Sequence, residues 1–211
     1  MDFKTLQKNT KELLILDKNT LRNLESSEDA LDLNIKYWLK NNKLIGLKKG
    51  VYILRDKWEK ERNKNDYLEY MANQLLLPSY VSLEYVLSKY QIMTEAVNAI
   101  TSVTPKSGRS FNNELASFDY YSISKKLFTG YETKTFKNAS VNIASKEKAL
   151  FDFLYFQFRK KEPNEQNIDN LRLNWENITK KELQKSKKYS ELTDNKNIKK
   201  VFDIILWWKR Y

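Results

Sequence analysis

The segment Leu44-Ile45-Gly46-Leu47-Lys48-Lys49-Gly50-Val51-Tyr52-Ile53-Leu54 carries two β-prone runs separated by a short turn that holds a glycine. That pattern predicts a β-hairpin with Lys48 and Lys49 at its tip. Upstream of it, Phe3, Leu6, Leu13, Leu14 and Leu16 suit a helix running into a short extended piece. Asp17 is placed to cap a second helix with Leu21 and Leu24 inside. Ser26 or Ser27 is placed to cap a third, whose Ala30, Leu31, Ile35, Trp38 and Leu39 recur at helical spacing and whose end falls near Asn41-Asn42.

Three short helices followed by a hairpin is the order of a winged helix-turn-helix. In that arrangement the third helix enters the major groove and the hairpin tip lies on the phosphate backbone or in the minor groove. The predicted DNA-binding residues are therefore Asn34, Lys36, Tyr37, Lys40 and Asn41 on the outward side of the third helix, with Lys43, Lys48 and Lys49 on or beside the hairpin. Asparagine pairs with adenine, and lysine with guanine or phosphate. Glu25, Glu28, Asp29 and Asp32 crowd the first turns of the same helix. Carboxylates there stabilise the helix through its dipole, but they repel the backbone of a duplex. The whole reading requires the ammonium groups of the ribbon tip to stand open to solvent.

Charge is distributed in the same sense. The chain has 211 residues and a formal net charge of +11. Residues 33–57 hold seven basic side chains, Lys36, Lys40, Lys43, Lys48, Lys49, Arg55 and Lys57, against the single acid Asp56. Residues 1–32 are net acidic by comparison. A dense basic window of this kind attracts phosphate and releases counterions on binding.

Composition removes several classes of chemistry. There is no cysteine and no histidine. Disulfides, thiolate and imidazole metal sites, Ser/His and Cys/His triads, and the usual neutral-pH base are all excluded. Four glycines in total do not make a phosphate-binding loop or a dinucleotide fingerprint. No cofactor is expected. No apolar run approaches the length of a membrane span, and no secretion signal opens the chain, so the expected location is cytoplasmic.

Beyond the hairpin, Arg55-Asp56-Lys57 reads as a domain boundary, giving a DNA-binding domain over residues 1–57 and a second domain over residues 58–211. Residues 58–77 read as helical up to Pro78, Ser79–Ser82 as extended, and Leu83–Tyr90 as helical. Ile100–Thr104, Ser117–Ile123 and Lys134–Ala144 read as strands. Ser145 caps an apolar helix to Phe158, with the charges of Lys146-Glu147-Lys148 on its wet side, and residues 164–211 read as helical. The fold class is α+β, a winged helix-turn-helix followed by a mixed α/β domain. Asp152 sits among apolar neighbours and requires a partner, a Lys, Arg or Tyr. Trp207-Trp208 beside Lys209 and Arg210 suits either base stacking, a partner protein or packing on the protein's own core.

Two other functions compete. Asp119 with Glu132-Thr133-Lys134 has the residue types of a Mg²⁺-dependent nuclease, although with 27 acids in the chain such spacing also arises as ordinary solvated strand. A pure protein-interaction module is the other.

The motifs also resemble a known family. Leu44–Tyr52 resembles the wing of AbiEi-type antitoxins, in which Gly-Val-Tyr closes the hairpin. Pro78-Ser79-Tyr80-Val81-Ser82-Leu83 resembles the opening of their C-terminal domain. Ile100–Thr104, Phe118-Asp119-Tyr120-Tyr121 and Leu127-Phe128-x-Gly130-Tyr131 follow in the family's order. Ile143-Ala144-Ser145-x-Glu147-Lys148-Ala149-Leu150-x-Asp152 is the most specific piece. The resemblance implies a non-enzymatic antitoxin that binds operator repeats of double-stranded DNA. It would repress its own operon, part of a bacterial type IV toxin–antitoxin system for phage defence. The implied functional partner is a nucleotidyltransferase toxin, with no direct contact required. Residues 163–211 match the family poorly.

Overall fold

In the computed structural model, which describes residues 1–209, the chain is a mixed α+β protein. The first elements are α1 (Phe3–Asn9), β1 (Leu16–Asp17), α2 (Lys18–Arg22) and α3 (Glu28–Lys40). Local capping explains their starts. Asp17 accepts from the Thr20 amide to open α2, and Ser27 accepts from the Ala30 amide to open α3. Then come β2 (Leu44–Lys48) and β3 (Val51–Leu54), reversed at Lys49-Gly50, where Gly50 takes φ +76°. The extended piece β1 pairs with β3, so the small sheet has the order β1-β3-β2.

The hairpin serves two cores. Leu44 and Leu54 pack with Leu6, Leu16, Leu21, Leu31, Ile35 and Trp38 beneath the three helices. Ile45, Leu47 and Ile53 point into the core of the rest of the chain. Leu47, two residues on from Ile45, faces the same core and is buried, and the pairing with β3 is irregular between Gly46 and Lys48. The chain then passes from β3 directly into α4 (Arg55–Lys60). The boundary expected at 57/58 falls within α4.

The remainder comprises α5 (Lys64–Leu75), β4 (Tyr80–Val81), α6 (Leu83–Lys89), β5 (Ala99–Thr104), β6 (Arg109–Asn112), β7 (Ser117–Ser122), β8 (Tyr131–Phe136), β9 (Ala139–Ala144), α7 (Lys146–Phe158), α8 (Glu165–Asp169), α9 (Lys180–Lys188) and α10 (Lys196–Trp208). Six strands form a mixed sheet in the order β6-β7-β5-β4-β9-β8. Its register sorts side chains onto two faces. Tyr80, Val103 and Tyr121 stand in one row, and this face meets α7, through the Tyr80 hydroxyl on Asp152 and the Tyr121 ring on Phe156. Val81, Ser102 and Tyr120 stand in the next row on the other face, which meets α5, where the Tyr120 hydroxyl donates to the Ala72 carbonyl. Strand β4 is only two residues long, so β9 outruns it. Asn73 of α5 completes the pairing: its side chain accepts from the Asn142 amide at 2.7 Å and donates to the Asn142 carbonyl at 3.1 Å.

Two expectations need correction. Lys134–Ala144 is not one strand but the hairpin β8–β9, turning at Lys137-Asn138 with Lys137 at φ +54°. Lys148 does not face water. It is fully buried, and its ammonium group pairs with Asp152 one turn along α7.

Candidate nucleic-acid interface

The outward side of α3 carries Leu33, Lys36, Tyr37 and Lys40, which recur at helical spacing opposite buried Leu31, Ile35 and Trp38. Leu33 is 68% exposed and Tyr37, one turn on, 57% exposed. Lys36, Lys40, Asn41 and Lys49 are exposed as predicted. Lys43 is half-buried, its ammonium group 4.9 Å from the Phe3 ring and 5.6 Å from the Tyr37 ring. That contact holds the Tyr37 ring beside the last turn of α3.

The other predicted readers are used inside the protein. Asn34 is half-buried and donates to the Met1 carbonyl at 3.2 Å. Asn41 caps α3 and donates back to the Tyr37 carbonyl at 2.8 Å. A bidentate grip on adenine needs both ends of a carboxamide turned outward. Both of these are held by their amino ends to the backbone.

Lys48 departs furthest from expectation and fails the condition set for the ribbon tip: of its two ammonium groups only that of Lys49 stands open to solvent. Its ammonium group donates to the Leu75 carbonyl at the end of α5, 2.6 Å away, and lies 5.3 Å from the Phe111 ring. Burial pushes its pKa down, and nearby Arg109 and Lys106 push it the same way. Two more members of the basic window are likewise committed. Arg55 pairs with Glu114 at 2.5 Å. Lys57 donates to the carbonyls of Thr10, Lys11 and Leu13, and burial lowers its pKa. The surface charge of the window thus rests on Lys36, Lys40, Lys43 and Lys49.

Two of the four acids at the start of α3 are answered from α2, and a third, Glu25, pairs with the N-terminal ammonium. Lys18 reaches Glu28 at 2.7 Å and Asp32 at 2.6 Å, and Arg22 grips Glu28 through two nitrogens at 2.8 and 2.9 Å. Arg22, then Lys18, holds the Glu28 carboxyl down at about 2, well below its usual value. The local repulsion that Glu28 and Asp32 would exert on a phosphate is offset by these cations.

The nuclease constellation does not assemble. Asp119 lies on β7 and Glu132 and Lys134 on β8, with β5, β4 and β9 between them. Four inter-strand steps at roughly 4.8 Å put them about 19 Å apart, too far for one ion. Among the described residues, no group of three or more Asp or Glu side chains is placed to hold a metal ion. Asp152 has the partners its surroundings require: Lys148, the Tyr80 hydroxyl at 2.9 Å and the Ser82 hydroxyl at 2.8 Å. The Lys148 ammonium lies 4.9 Å from the Phe151 ring and 5.4 Å from those of Tyr80 and Tyr189. Lys148 and Asp152 are both fully buried. A cleft of about 590 Å³ opens between residues 11–15, α4 and the β8–β9 turn; of its four lysines Lys57 is bound to backbone, Lys137 to Glu61 and Lys60 to Asp56 at 3.5 Å, while Lys11 is exposed.

Near the C-terminus Trp207 is 52% exposed, Trp208 packs against the core, and Lys209 donates to the Trp175 carbonyl. Arg210 lies outside the described residues. Among the described residues, no helix is long and apolar enough to cross a membrane. No protein-family model and no curated protein matches the chain.

Proposed function

We propose that this protein is a DNA-binding transcriptional regulator whose N-terminal unit is a winged helix-turn-helix, and that it serves as the antitoxin and autorepressor of a type IV toxin–antitoxin operon. The observation that carries the DNA-binding part is the exposed face of α3, where Lys36 and Lys40 flank Leu33 and Tyr37 while the neighbouring acids Glu28 and Asp32 are paired to Lys18 and Arg22. The element order α1-β1-α2-α3-β2-β3, with β1 paired beside β3, supports the winged-helix reading. The antitoxin part rests on the resemblance of five sequence pieces, in order, to AbiEi-type proteins. In this reading α3 lies in the major groove, Lys36, Lys40 and Lys49 contact phosphate, and Lys48 fastens the hairpin to the rest of the protein.

The test is a gel shift with the DNA upstream of the protein's own reading frame, at several salt concentrations. Binding whose affinity falls steeply with salt, and falls further on Lys36→Ala and Lys40→Ala together, is the expected result. Absence of binding at low salt rejects the regulator. A nucleotidyltransferase gene directly downstream is expected for the antitoxin role.

A further inference from the structure

Resting on that reading, we infer that α3 recognises its duplex chiefly through the C5-methyl groups of thymine, with Leu33 as the contacting side chain. The two carboxamides suited to adenine, Asn34 and Asn41, are held to the carbonyls of Met1 and Tyr37. What the middle of α3 presents outward is apolar: Leu33 at 68% exposure and, one turn on, Tyr37 at 57%. Between and beyond them stand Lys36 and Lys40, both exposed. The cations lie toward the C-terminal half of α3, since exposed Asp29 stands one turn before Leu33, and there the face combines an aliphatic side chain with two ammonium groups, complementary to a surface that is apolar beside an anionic wall. The major groove over A·T pairs has that form, with thymine methyls on its floor and phosphates along both walls.

The experiment compares binding to the alternating duplex of deoxyadenosine and thymidine with binding to the same polymer carrying deoxyuridine, which lacks only the methyl. The inference expects preference for thymine by about fourfold per contacted methyl, the effect of burying one such group. Leu33→Ala erases the preference. Lys36→Ala weakens binding to both polymers and leaves the ratio intact. Equal binding of both polymers by the unaltered protein overturns the inference and leaves the regulator standing. Binding to neither polymer at low salt overturns the regulator as well. If sedimentation velocity shows a dimer that Leu33→Ala converts to monomer, the face belongs to self-association and the inference is overturned.

Discussion

The Lys48 ammonium nitrogen lies 2.6 Å from the carbonyl oxygen of Leu75, so the tip of the β2–β3 hairpin is tied to the C-terminal end of α5. A cation is favoured there by the helix dipole and by the free carbonyls of the last turn. The neighbouring Lys49 is exposed. Two adjacent lysines thus have different tasks, and substitution separates them. Lys48→Ala is expected to cost about 1.5–3 kcal/mol of stability, as for a lost charged hydrogen bond, and to leave the salt dependence of DNA binding unchanged. Lys49→Ala is expected to leave stability unchanged and to lower the salt slope by about 1. Denaturant unfolding and salt-titrated binding of the two variants check this; a slope that responds to Lys48 instead rejects the assignment.

The same hairpin predicts that residues 1–57 do not fold alone. Ile45, Leu47 and Ile53 are buried in the larger core, and cutting after Lys57 bares all three. At roughly 1.5–3 kcal/mol per side chain, their exposure removes an amount comparable with the whole stability of a small domain. The fragment is expected to show no cooperative thermal transition and to bind a hydrophobic dye. A sharp melt with dispersed amide resonances would refute this.

The elements that could be read in advance are those with local signals. Asp17 and Ser27 announce α2 and α3 by capping, and Gly50 marks the reversal between β2 and β3. The β8–β9 turn escaped because Lys137 takes positive φ where a glycine or asparagine is the usual sign. Strand β6 escaped because it is a mostly exposed edge whose burial barely alternates. For the interface, helical spacing put Lys36, Tyr37 and Lys40 on the outward side, where they are, but it also put half-buried Asn34 there and left out exposed Leu33. The fates of Asn34, Asn41 and Lys48 depended on Met1, the Tyr37 carbonyl and the end of α5, which no spacing rule brings to them. Lys148 stands four residues before Asp152, a separation that does place two side chains on one helix face.

Asn73 substitutes for missing strand. Its carboxamide makes both hydrogen bonds to the backbone of Asn142 where β4 has ended. Asn73→Leu leaves that amide and carbonyl without partners inside the protein, at about 1–3 kcal/mol for each unsatisfied group. A loss of at least about 2 kcal/mol in urea unfolding is expected, with DNA affinity of the folded fraction unchanged. A loss below about 0.5 kcal/mol would show that water replaces the side chain.

Lys148 and Asp152 are both fully buried, and each makes the other's charge tolerable. Removing one partner strands the other. Asp152→Ala is expected to cost about 3–5 kcal/mol, and Lys148→Met with Asp152→Asn together to cost less than that single change. The Asn keeps an acceptor for the Tyr80 and Ser82 hydroxyls, while Met keeps the packing among the three rings. Chemical unfolding of the single and double variants checks the ordering. A double variant that is no more stable than Asp152→Ala would mean that the pair is not held together by mutual compensation.

Glu28 links acid stability to α3, the helix proposed to face DNA. Arg22 and Lys18 hold its carboxyl at about 2 against an ordinary 4.5. The folded-state value is depressed, so the stabilisation is present in full above 4.5. It is lost as pH falls, because the unfolded chain takes up the proton first and the folded chain only near 2. The thermal midpoint of the unaltered protein should therefore exceed that of Glu28→Gln by a constant margin at neutral pH, and the margin should shrink below about pH 4.5 and vanish near pH 2. A margin independent of pH would show that the bridge contributes through packing and not through charge. The pairing also works in the other direction. With Arg22→Gln, Glu28 keeps its charge at neutral pH but loses its principal counter-ion, and a carboxylate then faces the incoming phosphates from the first turn of α3. DNA binding should weaken, and Glu28→Gln added to Arg22→Gln should restore part of it. That restoration distinguishes repulsion by Glu28 from a direct phosphate contact by Arg22, which no second change at Glu28 would recover.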